Sequence, residues 1–179
     1  MQEALPGRVV LITFDDGYVD FAQYAWPVLK QFRNDRRRFF LCQGQLGGSN
    51  VWDSSEEELR LTSAEQVRDL QNEGVIFGSH SLSHCSLPTL TSAEIALEHF
   101  RSRCTLETAL GRPVQAVSYR YGANDAVVRQ LAGACGYLYG VTTRQSDCRF
   151  TDSLLSLPRI EINGDDNLER FIAKLTHAD

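Results

Sequence analysis

Two adjacent carboxylates, Asp15 and Asp16, stand directly after an apolar run, and two imidazoles, His80 and His84, stand four residues apart. These residue types can build a divalent-ion site with a base beside it. On a helical turn a spacing of four puts both rings on one face, within reach of a single ion. Two neutral nitrogens and one carboxylate leave such a site open. A divalent ion held there lowers the pKa of a bound water towards about 7, and a second carboxylate at hydrogen-bond distance can complete the deprotonation. Neighbouring carboxylates repel one another, so their placement at a strand end calls for a cation or proton to offset them. Adjacent strand residues face opposite ways, but the turn at Gly17 allows both side chains to meet one cavity. Two nitrogens and one oxygen suit zinc, cobalt or nickel.

Position follows from the elements around these residues. Residues 8–14 form a β-branched, apolar run, expected as a buried strand ending at the acidic pair. A helix with Pro27 near its first turn is expected through residues 29–32, then a strand over 38–42 and a polar loop over 43–61. Thr62-Ser-Ala-Glu65 reads as a capping box opening a helix to about Asn72, and residues 74–78 as a strand delivering His80. A second box, Thr91-Ser-Ala-Glu94, opens a helix with Ile95, Phe100, Cys104 and Leu110 at apolar positions, ended by Gly111 and Pro113. Residues 114–119 read as a strand; Asn124 or Asp125 caps a helix carrying Val127, Val128, Leu131 and Cys135, closed by Gly136. Strands are expected again over 137–142 and 157–162, the last followed by a helix from about Asp166 with Leu168, Phe171, Ile172 and Leu175. Six strands alternating with helices predict an α/β fold with a parallel sheet, whose functional loops lie at the strands' C-terminal ends.

The chain of 179 residues is expected to be one domain over 1–179, with 42% hydrophobic and 23% charged residues, ordinary for a globular protein. No stretch reaches the roughly 18 apolar residues of a membrane helix. A net charge of −5 argues against a nucleic-acid partner. The basic run at 36–38 is expected at a helix end, where cations suit the dipole. Five cysteines without CxxC spacing predict reduced, mostly buried thiols. Residues 1–8 lack the basic flank and apolar stretch of a signal peptide, which leaves a cytoplasmic protein or a domain excised from a secreted or envelope-associated one. Trp26 is expected in the core, His99 and His177 in surface or packing roles, and Arg159 as a structural ion-pair partner.

Thr13-Phe-Asp-Asp-Gly17, His80-xxx-His84, Tyr119-Arg-Tyr-Gly122 and Leu157-Pro-Arg-Ile160, in this order, resemble the motifs of the NodB-type polysaccharide deacetylases, carbohydrate esterase family 4. Leu46-Gly-Gly and Asn50-Val-Trp-Asp53 are similar to members of the family as well. The resemblance implies a distorted, incomplete (β/α) barrel of about six or seven βα units. It implies Asp15 as catalytic base, Asp16, His80 and His84 as ligands of a metal that is most often zinc, and the backbone N–H of Tyr121 as an oxyanion donor. Trp52, Arg120 and Tyr121 are candidate substrate-binding residues, the aromatic rings for stacking on sugars.

The sequence departs from the family pattern at three places. Ser118 stands where an arginine that orients the base is common, with Arg120 where proline is usual. No histidine matches the family's late general acid; Leu157-Pro-Arg-Ile160 occupies that region, as in a subgroup of the family. Val141-Thr-Thr143 stands in place of the Asp/Trp motif. The expected activity is metal-dependent removal of acetyl groups from a polysaccharide or oligosaccharide, foremost N-acetyl from N-acetylglucosamine units, with O-deacetylation a close variant. A metal- or glycan-binding module of the same fold is the alternative.

Overall fold

Apolar β-branched runs alternate with capped helices along this chain, and the computed structural model turns that alternation into a parallel α/β sheet. It describes residues 10–32, 39–43 (backbone only), 45–52 and 57–176. The elements in order are β1 (Ile12–Phe14), a π-turn (Phe21–Ala25) running into α1 (Trp26–Leu29), β2 (Phe39–Gln43), α2 (Ala64–Asn72), β3 (Ile76–Ser79), α3 (Ser92–Leu110), β4 (Ala116–Ser118), α4 (Ala126–Ala134), β5 (Tyr139–Val141) and α5 (Leu168–Thr176). The five strands stand in sequence order, each parallel to the next. Parallel neighbours joined by helical crossovers all point one way, so the residues after β1, β3 and β4 collect along one edge of the sheet.

Two apolar clusters hold this arrangement. One joins Leu87, Ile95, Leu106, Val117, Tyr119 and Val128 between α3, α4 and the sheet; the other joins Phe21, Trp26, Val67, Leu70, Val75 and Phe77. Burying a side chain of this size contributes about 1.5–3 kcal/mol, so either cluster outweighs any single surface interaction. Trp26 is in the core as expected, its indole N–H donating to Glu73 Oε2 at 2.6 Å. Thr91 caps α3 and Glu94 returns the bond; Gly111 ends the helix in the left-handed region. Asp125 Oδ1 accepts from Val128 N at 2.8 Å to cap α4.

Several expectations need correction. β1 is half-exposed, with Val10, Leu11 and Ile12 all open to solvent, because the sheet order places it at an edge with β2 as its neighbour. Residues 157–162 form no strand. Leu157 makes a single parallel bridge to Val141, and Pro158, which has no N–H, cannot extend a ladder there. The first capping box is shifted by one: Ser63 caps α2 with Gln66 as its partner, while Thr62 is buried and bonded to Gly17 O. On α3 the buried face is Ile95, His99, Ser102, Leu106 and Ala109, and Phe100 is exposed. Val127 on α4 and Leu168, Phe171 and Ile172 on α5 are exposed too. Cys85, Cys104 and Cys135 are half-buried free thiols and Cys148 is exposed. Residues 1–9 and 36–38, Asp53, His177 and the Cys42 side chain lie outside the described residues. Among the described residues no helix is long and apolar enough to cross a membrane.

Candidate functional site

The acidic pair leaves β1 on a tight turn. Asp16 has φ 67° and Gly17 φ 75°, and Gly17 N donates to Asp15 O at 2.8 Å. Thr62 fastens the turn from outside, with both its N–H and its hydroxyl donating to Gly17 O at 2.9 Å. This reversal lets two consecutive carboxylates face the same edge while meeting different partners. Asp16 meets the histidines; Asp15 meets an arginine.

His80 follows β3 directly, but the segment from His80 to His84 is no helical turn. Ser81 (φ 61°) and His84 (φ 59°) are both left-handed, and the loop between them is held by Glu98 of α3. Glu98 Oε2 accepts from Leu82 N at 2.8 Å and Ser83 N at 3.0 Å, and Oε1 accepts from the Ser83 hydroxyl at 2.8 Å. The four non-glycine residues with positive φ among the described residues are Asp16, Ser81, His84 and Tyr121. Such backbone costs about 1–3 kcal/mol per residue and persists only where surrounding structure enforces it. All four lie on the loops that carry the candidate site.

Asp16 Oδ1 lies 2.7 Å from His84 Nε2 and 3.2 Å from His80 Nε2. One ligand atom from each of these residues falls within 4.8 Å of the other two, and both rings are buried. His80 Nδ1 donates to the Ser118 carbonyl at 2.8 Å, which frees Nε2 as the ligating nitrogen. His84 is held differently: its Nδ1 is buried without a hydrogen-bond partner among the described residues, and Trp52 packs on its ring with centroids 4.1 Å apart. Burial alone would raise the Asp16 pKa, but hydrogen bonds from His80 and His84 outweigh it and keep the carboxyl far below its ordinary range. Two nitrogens and one ionised oxygen converging in a largely buried pocket fit a divalent ion.

Asp15 takes no part in that cluster's hydrogen bonds. Arg159 Nη1 donates to its Oδ1 at 2.9 Å, Arg159 Nη2 to its Oδ2 at 2.7 Å, and the Ser118 hydroxyl to Oδ2 at 3.1 Å. Burial pushes the Asp15 pKa up, yet the Arg159 hydrogen bonds and nearby positive charge outweigh it and hold the group ionised. Arg159 was expected to need a carboxylate, and Asp15 is that carboxylate. Arg120 meets Tyr121 instead, its guanidinium 4.3 Å from the centre of the exposed ring. Tyr121 is left-handed (φ 56°), and Thr143 Oγ1 donates to its carbonyl at 3.1 Å. His99 is remote in role, enclosed with its ring edge-on to Tyr119 and Tyr137.

Sequence reasoning did not find Glu98, which on a helix surface reads as an ordinary solvated acid. Nor did it find the Ser118 carbonyl as a partner of His80, since backbone groups carry no residue signal.

The sequence profile of the polysaccharide deacetylases matches residues 2–140. Over 156 residues the chain is 28% identical to YxkH of Bacillus subtilis, whose name assigns it to polysaccharide deacetylases; the match covers 87% of this chain and 52% of that protein. It is 34% identical over 94 residues to the chitin deacetylase of Colletotrichum lindemuthianum, covering 52% of this chain and 34% of that one. The chain thus spans about half or less of the curated relatives it matches. The Streptococcus pyogenes deacetylase PplD, solved with acetate, superposes with a TM-score of 0.79 at 26% identity, over 96% of this chain and 72% of that one.

Proposed function

The chain belongs to the polysaccharide deacetylases, the NodB-type carbohydrate esterases of family 4, and from that premise we propose that it is a metal-dependent hydrolase of acetylated glycans. The proposed substrate is N-acetylglucosamine within a polysaccharide or oligosaccharide. One observation carries this reading: two adjacent aspartates are divided between separate partners, Asp16 among two histidines and Asp15 outside them against Arg159.

Asp16, His80 and His84 would hold the ion, zinc in the first place and cobalt or nickel otherwise. When bound, such an ion supplies Lewis acidity for a water and an acetyl carbonyl. Asp15 is the base that takes the proton of the attacking water, for which it must be ionised, and its guanidinium partner favours that state. The Tyr121 N–H is the donor for the oxyanion, on a backbone set by the left-handed turn. The tetrahedral carbon then loses its nitrogen, giving acetate and a free amine once the nitrogen is protonated. Trp52, Arg120 and Tyr121 are proposed to contact the sugar, the exposed Tyr121 ring by stacking. We read residues 1–179 as one such domain, its sheet part of a distorted, incomplete (β/α) barrel. The reach of Arg159, from beside β5 across to Thr13 within β1 and Asp15 just after it, supports that closure.

A second reading, a metal- or glycan-binding module, is favoured by one observation: the remaining described histidine, His99, is walled into the core and cannot serve as the acid. Acetate release from chito-oligosaccharides with zinc, measured beside an Asp15→Asn control, decides between the two. Turnover lost in Asp15→Asn with zinc retained, and zinc lost in His80→Ala and in His84→Ala, supports the hydrolase. No release above the control favours the binding module, and equal zinc content in wild type and both histidine variants sinks the ligand assignment.

A further inference from the structure

We infer that a cavity beside the Asp16 turn is a second carbohydrate site, which takes a sugar unit of the same acetylated chain that the metal site would act on. This deepens the reading of the substrate as an oligosaccharide or polysaccharide and rests on it. The cavity holds about 360 Å³, within the range of about 300–1,000 Å³ for small-ligand sites and on the scale of one sugar unit. Three stretches of chain meet to form it: Val19 after the turn, Gly47 with Gly48, and the run from Arg60 into the first turn of α2.

Its walls are fixed by backbone. Val19 N donates to Arg60 O at 3.0 Å, Leu61 N to Gly48 O at 3.0 Å and Gly47 N to Thr62 O at 2.8 Å. Thr62 in turn holds Gly17 O, so the cavity and the Asp16 turn are one unit. Walls set in this way lose little freedom when a ligand binds. Gly47 and Gly48 leave one side bare: a Cβ at either would meet nothing within 4 Å.

The lining fits a sugar better than an ion. Leu61 and Val19 supply apolar surface for the C–H face of a pyranose ring, and around them stand a cation, Arg60, an anion, Glu65, and an amide, Gln66. Among the described residues neither Arg60 nor Glu65 joins an ion pair or a side-chain hydrogen bond. A bound anion would meet Glu65 and a bound cation Arg60, so the opposed charges work against either. A sugar hydroxyl both donates and accepts, and satisfies the two together. Gln66 Oε1 accepts from Ser63 N at 2.9 Å, which leaves its amide N–H groups as further donors. Position names the occupant. Val19 follows Asp16 by three residues, a span of at most about 11 Å. A glycan of a few units covers that distance, so a chain with an acetylated unit at the ion reaches the cavity with a neighbouring one.

The test compares zinc-loaded wild type with Arg60→Ala and Glu65→Ala in acetate release from chitobiose and from chitopentaose. Both side chains are exposed, so neither change should disturb the fold. On chitopentaose each variant should raise KM about five- to tenfold, the scale of one hydrogen bond, and keep kcat within about twofold. On chitobiose, too short to fill both sites, KM should stay within about twofold, and zinc content should not change. An unchanged KM for chitopentaose, or an equal loss on both substrates, overturns the inference. If wild type releases no acetate, the functional reading fails by itself and calorimetric titration with chitopentaose judges the cavity. A Kd weakened about five- to tenfold in each variant then upholds it. Equal Kd values, or no binding to wild type, overturn it.

Discussion

Removing the Glu98 carboxylate should weaken the proposed metal binding although its hydrogen bonds go to Leu82 and Ser83 and not to a proposed ligand. It accepts three hydrogen bonds, from Leu82 N, Ser83 N and Ser83 Oγ, and these residues link the two histidines. A bond to a charged acceptor contributes about 1.5–3 kcal/mol when well shielded. Ser83 is exposed, and replacement water can recover much of each bond, so about 1 kcal/mol apiece is the fitting scale. Glu98→Ala then costs the loop about 2–3 kcal/mol. If the bound ion requires the ordered loop, that converts to a zinc affinity about 30- to 150-fold weaker, at about 1.4 kcal/mol per tenfold. Glu98→Gln keeps a carbonyl oxygen for the two amides and should lose less than about tenfold. Competition with a chelating dye measures both variants against wild type. An alanine variant that binds zinc as tightly as wild type would show that the left-handed loop stands without its anchor, and the reasoning would fail.

Three further outcomes follow from particular contacts. Gly122→Ala should destabilise the fold by about 2–4 kcal/mol in a denaturant titration, since an added Cβ would lie 2.2 Å from Thr143 Oγ1 and 2.6 Å from Thr143 N in a left-handed backbone; a change under about 0.5 kcal/mol would refute it. Burial pushes His99 down to about 4 from 6.5, so between those values the unfolded chain binds a proton that the folded chain refuses. Stability should therefore fall with pH from 6.5 towards 4, by up to about 3 kcal/mol, and His99→Leu should remove that part of the slope; an unchanged slope would contradict it. Ser81→Gly should leave stability equal or higher by about 1 kcal/mol, because relief of its φ of 61° offsets the extra freedom of glycine when unfolded. A drop of more than about 1 kcal/mol would show that the serine side chain is needed there.

What was legible in the sequence was whatever the local chain determines. An apolar run stopping at Asp15, a strand delivering His80 and the Thr91/Glu94 box each draw on neighbours within a few positions, and all three are found. The parallel α/β sheet follows from their alternation. The losses are of two kinds. Pro158 breaks a ladder that residues 157–162 otherwise suggest, and Thr62 leaves its expected cap to bind Gly17, so a local signal lost to a backbone or tertiary demand. Glu98 acts over 15 residues, and Arg159, read from the sequence as an ion-pair residue, meets a carboxylate 144 residues away that the sequence did not identify; neither distance leaves a periodic trace. His99, by contrast, was read as a surface or packing residue and is a packing one, but nothing local indicates that its ring is enclosed by Tyr119 and Tyr137.

These two kinds of loss have a common origin in how the site is built. The residues proposed to do chemistry sit on or beside backbone that is locally unfavourable, at Asp16, Ser81, His84 and Tyr121. A left-handed L-residue costs about 1–2 kcal/mol, so four of them would open the loops unless something outside each loop closed it. Each has such a closure: Thr62 on the turn after Asp16, Glu98 on the loop between Ser81 and His84, and Thr143 on the Tyr121 carbonyl. Arg159 does the same for the Asp15 side chain. The candidate reactive groups are therefore local in sequence and their supports are not, which is why ligands could be proposed from spacing while the partners of their anchors could not. It follows that substitutions at Thr62, Glu98, Thr143 and Arg159 should impair the site through geometry, with the proposed ligands and base all still present.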